Sequence, residues 1–257
     1  MKQAPTPGTR TINPRRTTPF LALLAAVLFA SCVPDIDLAG SAWSGDAYTT
    51  DDEGQTLKTT LTLVCNTADS GLLFVAEDDG GPWPLCYTMP MNYSWTDNHG
   101  SATATIDIPG EFARSYRLDL DYTKAEGLRI TAPTSMSTDL ELPGIVNFGL
   151  KEKHLTKPST LEGTTWKQGH YNEWNGDSIV YELHLVGNTT GVLNVTVASI
   201  DGHRETERAN VSYSYHGGAG TVSATDGNES VSGGFYLPDD NHLFFALGDF
   251  GLTLTKQ

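Results

Sequence analysis

The chain has 257 residues, 39% of them hydrophobic and 18% charged, with a formal net charge of −15. That length builds one large core or two small ones. The acidity repels phosphate backbones and anionic head groups, which excludes nucleic acid as a partner.

The only charges ahead of the first apolar run are Lys2, Arg10, Arg15 and Arg16, and the run itself spans Phe20 to Ala30. It is well short of the roughly 20 residues that cross a bilayer core. A basic start, a short apolar stretch and small residues at its end read as a secretory signal. Ala30-Ser31-Cys32 closes that stretch and resembles the lipobox of bacterial lipoproteins. The bland alternative is an ordinary cleaved signal with an incidental cysteine. The resemblance implies that residues 1–31 are removed, that Cys32 is the lipidation site, and that 32–37 form a short tether. The protein is then held by acyl chains on the outer membrane of the cell envelope, facing the periplasm or the surface, rather than crossing the bilayer. Residues 1–31 carry four of the 16 basic residues and no acid, so the remainder holds 12 basic against 31 acidic groups, a net −19.

Beyond the tether the chain repeats itself. Asp37-Leu38-Ala39-Gly40-Ser41-Ala42-Trp43 returns as Thr160-Leu161-Glu162-Gly163-Thr164-Thr165-Trp166, and Tyr48 returns as Tyr171. Leu61-Thr62-Leu63-Val64 matches Leu183-His184-Leu185-Val186, and Asn92-Tyr93-Ser94-Trp95 matches Ser212-Tyr213-Ser214-Tyr215. Both copies close alike, on Asn147-Phe148-Gly149-Leu150 and Asp249-Phe250-Gly251-Leu252, with an insertion in copy one over Pro133 to Pro143. A shared order of short matches is the signature of a duplication. It divides the chain into β-domain 1 over 38–156, a linker over 157–160 that holds Lys157-Pro158-Ser159, and β-domain 2 over 161–257.

Both copies read as all-β. Leu57-Thr59-Leu61-Leu63 and Tyr181-Leu183-Leu185 are apolar at nearly every second position, and Tyr116-Leu118-Leu120-Tyr122 alternates with Arg117, Asp119 and Asp121. That period belongs to strands with one dry and one wet face. Gly-, Asn- and Asp-rich clusters separate the runs at hairpin spacing. The pattern predicts about seven or eight strands per copy, folded as two tandem antiparallel meander barrels or sandwiches.

The Leu-x-Gly-x-x-Trp opening, the strand pair around a Gly turn and the Tyr-x-Tyr/Trp strand resemble the lipocalin-like repeat domains of bacterial outer-membrane lipoproteins. The family's Gly-x-Trp opening is longer by one residue here, in Gly40–Trp43 and Gly163–Trp166. The resemblance implies a barrel and leaves its ligand open.

Candidate functional residues are few. Trp43 and Trp166 are expected to plug and nucleate the two cores, so that Trp166→Ala melts the second domain alone. Trp83, between two prolines, together with Tyr171 and Trp174 in a polar stretch, are candidate ligand-contact aromatics, of the rigid kind that stacks on sugars or anchors protein partners. Cys65 and Cys86 are a candidate disulfide in an oxidising envelope. Against it, their strand ends are about 20 Å apart, and a disulfide needs Cα atoms within about 7 Å. The seven histidines are scattered singly, and the acidic runs lack the spacing of a calcium loop, so no metal or cofactor is expected. No catalytic motif appears. The expected function is a non-enzymatic binding or assembly module for a glycan or an envelope protein. The alternatives are a carrier of a small apolar ligand and, third, a hydrolase without a recognisable motif.

Overall fold

The computed structural model describes residues 35–50, 56–78, 85–106, 114–136, 148–171, 176–227 and 229–257. Cys32 and the signal segment lie outside them. The described residues contain strands and no helix. Barrel 1 comprises β1 (Ser41–Thr50), β2 (Thr56–Cys65), β3 (Ser70–Asp78), β4 (Leu85–Thr96), β5 (His99–Ile106), β6 (Arg114–Thr123), β7 (Gly127–Met136) and β8 (Phe148–Lys153). Barrel 2 comprises β9 (Thr164–Tyr171), β10 (Ser178–Leu185), β11 (Thr190–Ala198), β12 (Arg204–Tyr213), β13 (Ala219–Asp226), β14 (Glu229–Tyr236), β15 (His242–Leu247) and β16 (Phe250–Lys256). Each strand is antiparallel to the next, so both barrels are meanders. β8 closes on β1 at Trp43–Glu152 and its two neighbours, and β16 closes on β9 at Thr255–Lys167 and Lys256–Trp166.

Alternation decides what fills each interior. Leu61, Leu63, Leu73, Val75, Met89 and Met91 point inward from β2 to β4, and Leu118, Leu120, Leu128 and Ile130 meet them from β6 and β7. In barrel 2 the same places are taken by Leu183, Leu193, Val211, Phe235, Phe245 and Leu252. Small barrels of this strand number are filled by side chains, and both are.

The repeat is chemical as well as topological. Gly40 and Gly163 both take positive φ, 72° and 77°, a turn that costs glycine nothing. The Ser41 and Thr164 hydroxyls donate to the Leu38 and Leu161 carbonyls at 2.6 Å. Each accepts, at 2.8 Å, the indole N–H of the tryptophan two residues on. Trp43 and Trp166 thereby seal one end of their barrels, both buried. Across the same ends, the Trp95 indole donates to the Ile36 carbonyl at 3.0 Å and the Tyr215 hydroxyl to the Pro158 carbonyl at 2.9 Å. The segment leading into each barrel is thus strapped over its floor.

Register shifts one of the sequence matches. Ser41 stands opposite Cys65, and its counterpart Thr164 stands opposite Leu185. The partner of Cys65 is therefore Leu185, and Val64 corresponds to His184 rather than to Val186. The apolar string slid by two residues, one full strand period, which preserves the inside–outside pattern and hides the slip.

The barrels stand side by side, facing the same way, within one compact unit over Ile36–Gln257. At the sealed ends, Asn66 Nδ2 in the β2–β3 hairpin donates to the His216 carbonyl in the β12–β13 hairpin, 3.4 Å. At the other ends, the Cys86 N–H donates to the Asp249 carbonyl at 2.8 Å, and Leu85 bridges Phe250. Between them lies an apolar seam: Val64, Leu72, Phe74 and Cys86 from barrel 1 against Ala219, Tyr236, Phe244 and Ala246 from barrel 2. The Phe74 ring meets Tyr236 and Phe244 edge-on, at 5.1 and 5.8 Å. Gly251 lets the surfaces touch, since a Cβ there would lie 2.7 Å from Cys86 Cβ.

The Cys65–Cys86 disulfide is not formed; both thiols are free and buried. Parity explains it. Cys65 pairs with Gly71 and Cys86 with Ala76 on the same strand, β3. Five positions apart, they face opposite sides of the sheet, Cys65 into the core and Cys86 into the seam.

Candidate functional site: a groove between the barrels

One proline opens the site. β4 pairs with β5 only from Met91, opposite Ala104, down to Thr96. The residue before Met91 is Pro90, which has no N–H to give to a neighbouring strand. Above it the start of β4 is held instead by barrel 2, through Asp249 and Phe250. β4 thus leaves β5, and a cavity of about 1130 Å³ occupies the fork and continues between the barrels.

Barrel 1 contributes Tyr87, Thr88, Pro90 and Thr105 to its lining. Barrel 2 contributes outward hydroxyls from three adjacent strands: Ser212 and Ser214, Thr221 and Ser223, Ser230 and Ser232. Register sets them side by side, Ser212 opposite Ser223 and Ser223 opposite Ser232. Several are already bonded to each other, Ser214 to Thr221 at 2.7 Å and Ser223 to Ser230 at 3.0 Å. Gly233 and Gly248 leave backbone uncovered along the wall, and among the described residues Asp249 is the one charged residue of the lining. Thr88 Oγ1 is shielded from solvent and has no hydrogen-bond partner, while its methyl abuts Gly234.

No nucleophile–base pair arises here. Ser214 bonds Thr221 and Ser223 bonds Ser230, and among the described residues no histidine lines the groove. His99 instead meets Asp121 at 2.5 Å, and His242 meets Asp239 at 2.9 Å, on exposed turns and strand ends. Among the described residues no group of three metal-ligating side chains converges, and no helix is long and apolar enough to cross a membrane.

A second cavity, about 190 Å³, lies on the other flank of the seam between Lys58, Thr62, Tyr236 and Phe244. Burial pushes the Tyr236 hydroxyl up to about 12, against a hydrogen bond from Thr62 that works the other way.

Of the aromatics singled out in the sequence, Trp83 and Trp174 lie outside the described residues. Tyr171 is 59% exposed on the outer face of β9, the position that Tyr48, 66% exposed, holds on β1. Neither lines the groove. Sequence reasoning missed the hydroxyl wall, although its signal was present: Ser212-x-Ser214, Thr221-x-Ser223-x-Thr225 and Ser230-x-Ser232 put a hydroxyl at every second residue of three successive strands. Only their adjacency in space makes that a surface.

No family model matches this sequence. No curated protein and no solved structure is significantly similar to it.

Proposed function

We propose that this chain is a lipid-anchored cell-envelope protein that works as a non-enzymatic binding or assembly module. It would be tethered through Cys32 and would recognise its partner on the outside of a rigid pair of lipocalin-like barrels. The observation that supports the reading best is how the interiors are used. Leucine and tryptophan fill both barrels, with methionine in the first and phenylalanine in the second, and the strapped segments cover their floors. A carrier needs room inside; this protein offers shape between its barrels instead.

Two measurements test it. Expression in a diderm bacterium fed an alkyne-tagged palmitate should label the chain, and Cys32→Ser should abolish the label. Native mass spectrometry of the full chain in detergent should show no apolar ligand beyond the attached lipid. An unlabelled chain overturns the anchor. A stoichiometric apolar guest that survives purification overturns the module in favour of the carrier.

A further inference from the structure

We infer that the groove between the barrels is a binding site for a neutral, extended oligosaccharide. The inference rests on the binding-module reading and specifies its ligand class. Four features of the groove point that way.

Charge is the first. The chain carries −15 overall, yet among the described residues one carboxylate is the sole charge of the lining. A phosphate or sulfate ligand would need lysine or arginine there. Among the described residues none lines the groove, and the surrounding field repels anions.

Hydrogen-bonding character is the second. A hydroxyl both donates and accepts, so a wall of serine and threonine matches a chain that is itself a row of hydroxyls. Spaced by two strand rises, about 6.8 Å, along each strand and by about 4.8 Å across the sheet, these groups form a ladder rather than a single anchoring point. Tyr87, packed against the barrel 1 core, and Pro90 supply the apolar part of barrel 1's share of the lining.

The third feature argues against the main rival, an extended peptide. Peptides in clefts between sheets are held through a free strand edge. β13, along the hydroxyl wall, is paired on both sides by β12 and β14. The departing edge of β4 begins at proline and is taken by Asp249 and Phe250. The free edges left are β12 before Asn210, which lies outside the lining, and the start of β14 before Gly233, where the Gly248 N–H already takes the Ser232 carbonyl.

Size is the fourth. About 1130 Å³ is at or above the upper end of ordinary small-molecule sites, about 300–1,000 Å³. It suits several sugar units better than one.

The test is isothermal titration of the full chain, purified in detergent, with neutral hexasaccharides: cellohexaose, xylohexaose, mannohexaose, maltohexaose and chitohexaose. At least one should bind. Ser223→Arg, which fills the groove and charges it, should weaken that binding tenfold or more. The double change Ser212→Ala with Ser232→Ala should weaken it severalfold. Thr253→Arg, on the exposed outer side of β16, should leave it unchanged, and circular dichroism melting checks that all variants fold. Binding that the groove variants do not alter places the sugar elsewhere: the groove assignment fails and the module reading stands. No binding by any hexasaccharide overturns the inference. Competition by an unstructured peptide that Ser223→Arg abolishes overturns it in favour of the peptide.

Discussion

At the residue scale, the two tryptophans and the two thiols carry the sharpest consequences. Each tryptophan is wedged into a filled barrel with its N–H satisfied two residues away. Truncating it loses transfer energy and leaves a cavity, so Trp166→Ala should cost about 3–5 kcal/mol in a urea titration. The thiols make stability depend on alkali. Burial pushes both Cys65 and Cys86 up to about 12, at Cys65 against hydrogen bonds from Tyr93 and Ser41. In the unfolded chain a thiol ionises near its ordinary value of about 8.5–9. Between these limits the unfolded state holds fewer protons than the native one, so stability is full below about pH 8.5 and falls as pH rises toward 12. The urea midpoint should decline across that window, and Cys86→Ala should flatten the decline. A midpoint independent of pH from 8 to 11 would refute the assignment. Thiol reagents should find no reactive cysteine in the native protein at pH 8, because neutral buried thiols are inert.

At the element scale, the duplicated hairpins show how a turn is specified twice with different residues. Asp97 and Asn98 form the β4–β5 turn with φ of 54° and 64°, and Gly217 and Gly218 hold the matching turn in barrel 2 at 63° and 95°. Asn98 tolerates the strained angle and adds a function, since its Oδ1 accepts the Ile36 N–H at 3.0 Å. Asn98→Gly should therefore keep the turn and lose the side chain's hydrogen bonding, about 0.5–1.5 kcal/mol for the bond to Ile36. Asn98→Ala should lose about 1–2 kcal/mol more for a left-handed residue bearing a Cβ; equal destabilisation by the two would show that the angle carries no cost. Most of this level was legible in the sequence. Alternation marked the strands, glycine and asparagine marked the turns, and Leu-x-Gly-x-x-Trp marked both beginnings. What could not be read was which outward face meets which. Phe74 sits in the unbroken apolar run Leu72-Leu73-Phe74-Val75-Ala76, which marks a strand covered on both faces, but what covers its outer face depends on how two finished barrels lie together. The groove was hidden for the same reason, and the two-residue slip between copies was hidden by strand periodicity.

At the scale of the molecule, the seam alters what the duplication implies. Two cores sharing Phe74, Cys86, Tyr236 and Phe244 should unfold together, rather than as the independent domains that the repeat alone implies. Calorimetry should give one transition with van't Hoff and calorimetric enthalpies equal, and Trp166→Ala should shift that transition whole. Two separated transitions would mean that the seam couples nothing.

The seam also joins unlike faces: the β2–β4 side of one barrel meets the β14–β15 side of the other. A contact between unlike faces of like units does not close on itself, and repeated it builds a polymer. Here both growing ends are capped by chemistry. On barrel 2, the places matching Ala42, Val64, Phe74 and Cys86 are Thr165, His184, Asn194 and Thr206, where Thr165 bonds His184 at 3.0 Å. On barrel 1, the places matching Ala219, Tyr236 and Phe244 are His99, Asp121 and Arg129. Reverting Asn194→Phe and Thr206→Cys at one cap, with Asp121→Tyr and Arg129→Phe at the other, should yield concentration-dependent chains in sedimentation velocity. Either cap alone should hold the protein at its native size. The second copy is what makes a groove, and the polar residues on the outer flanks deny the seam a second apolar surface on which to repeat.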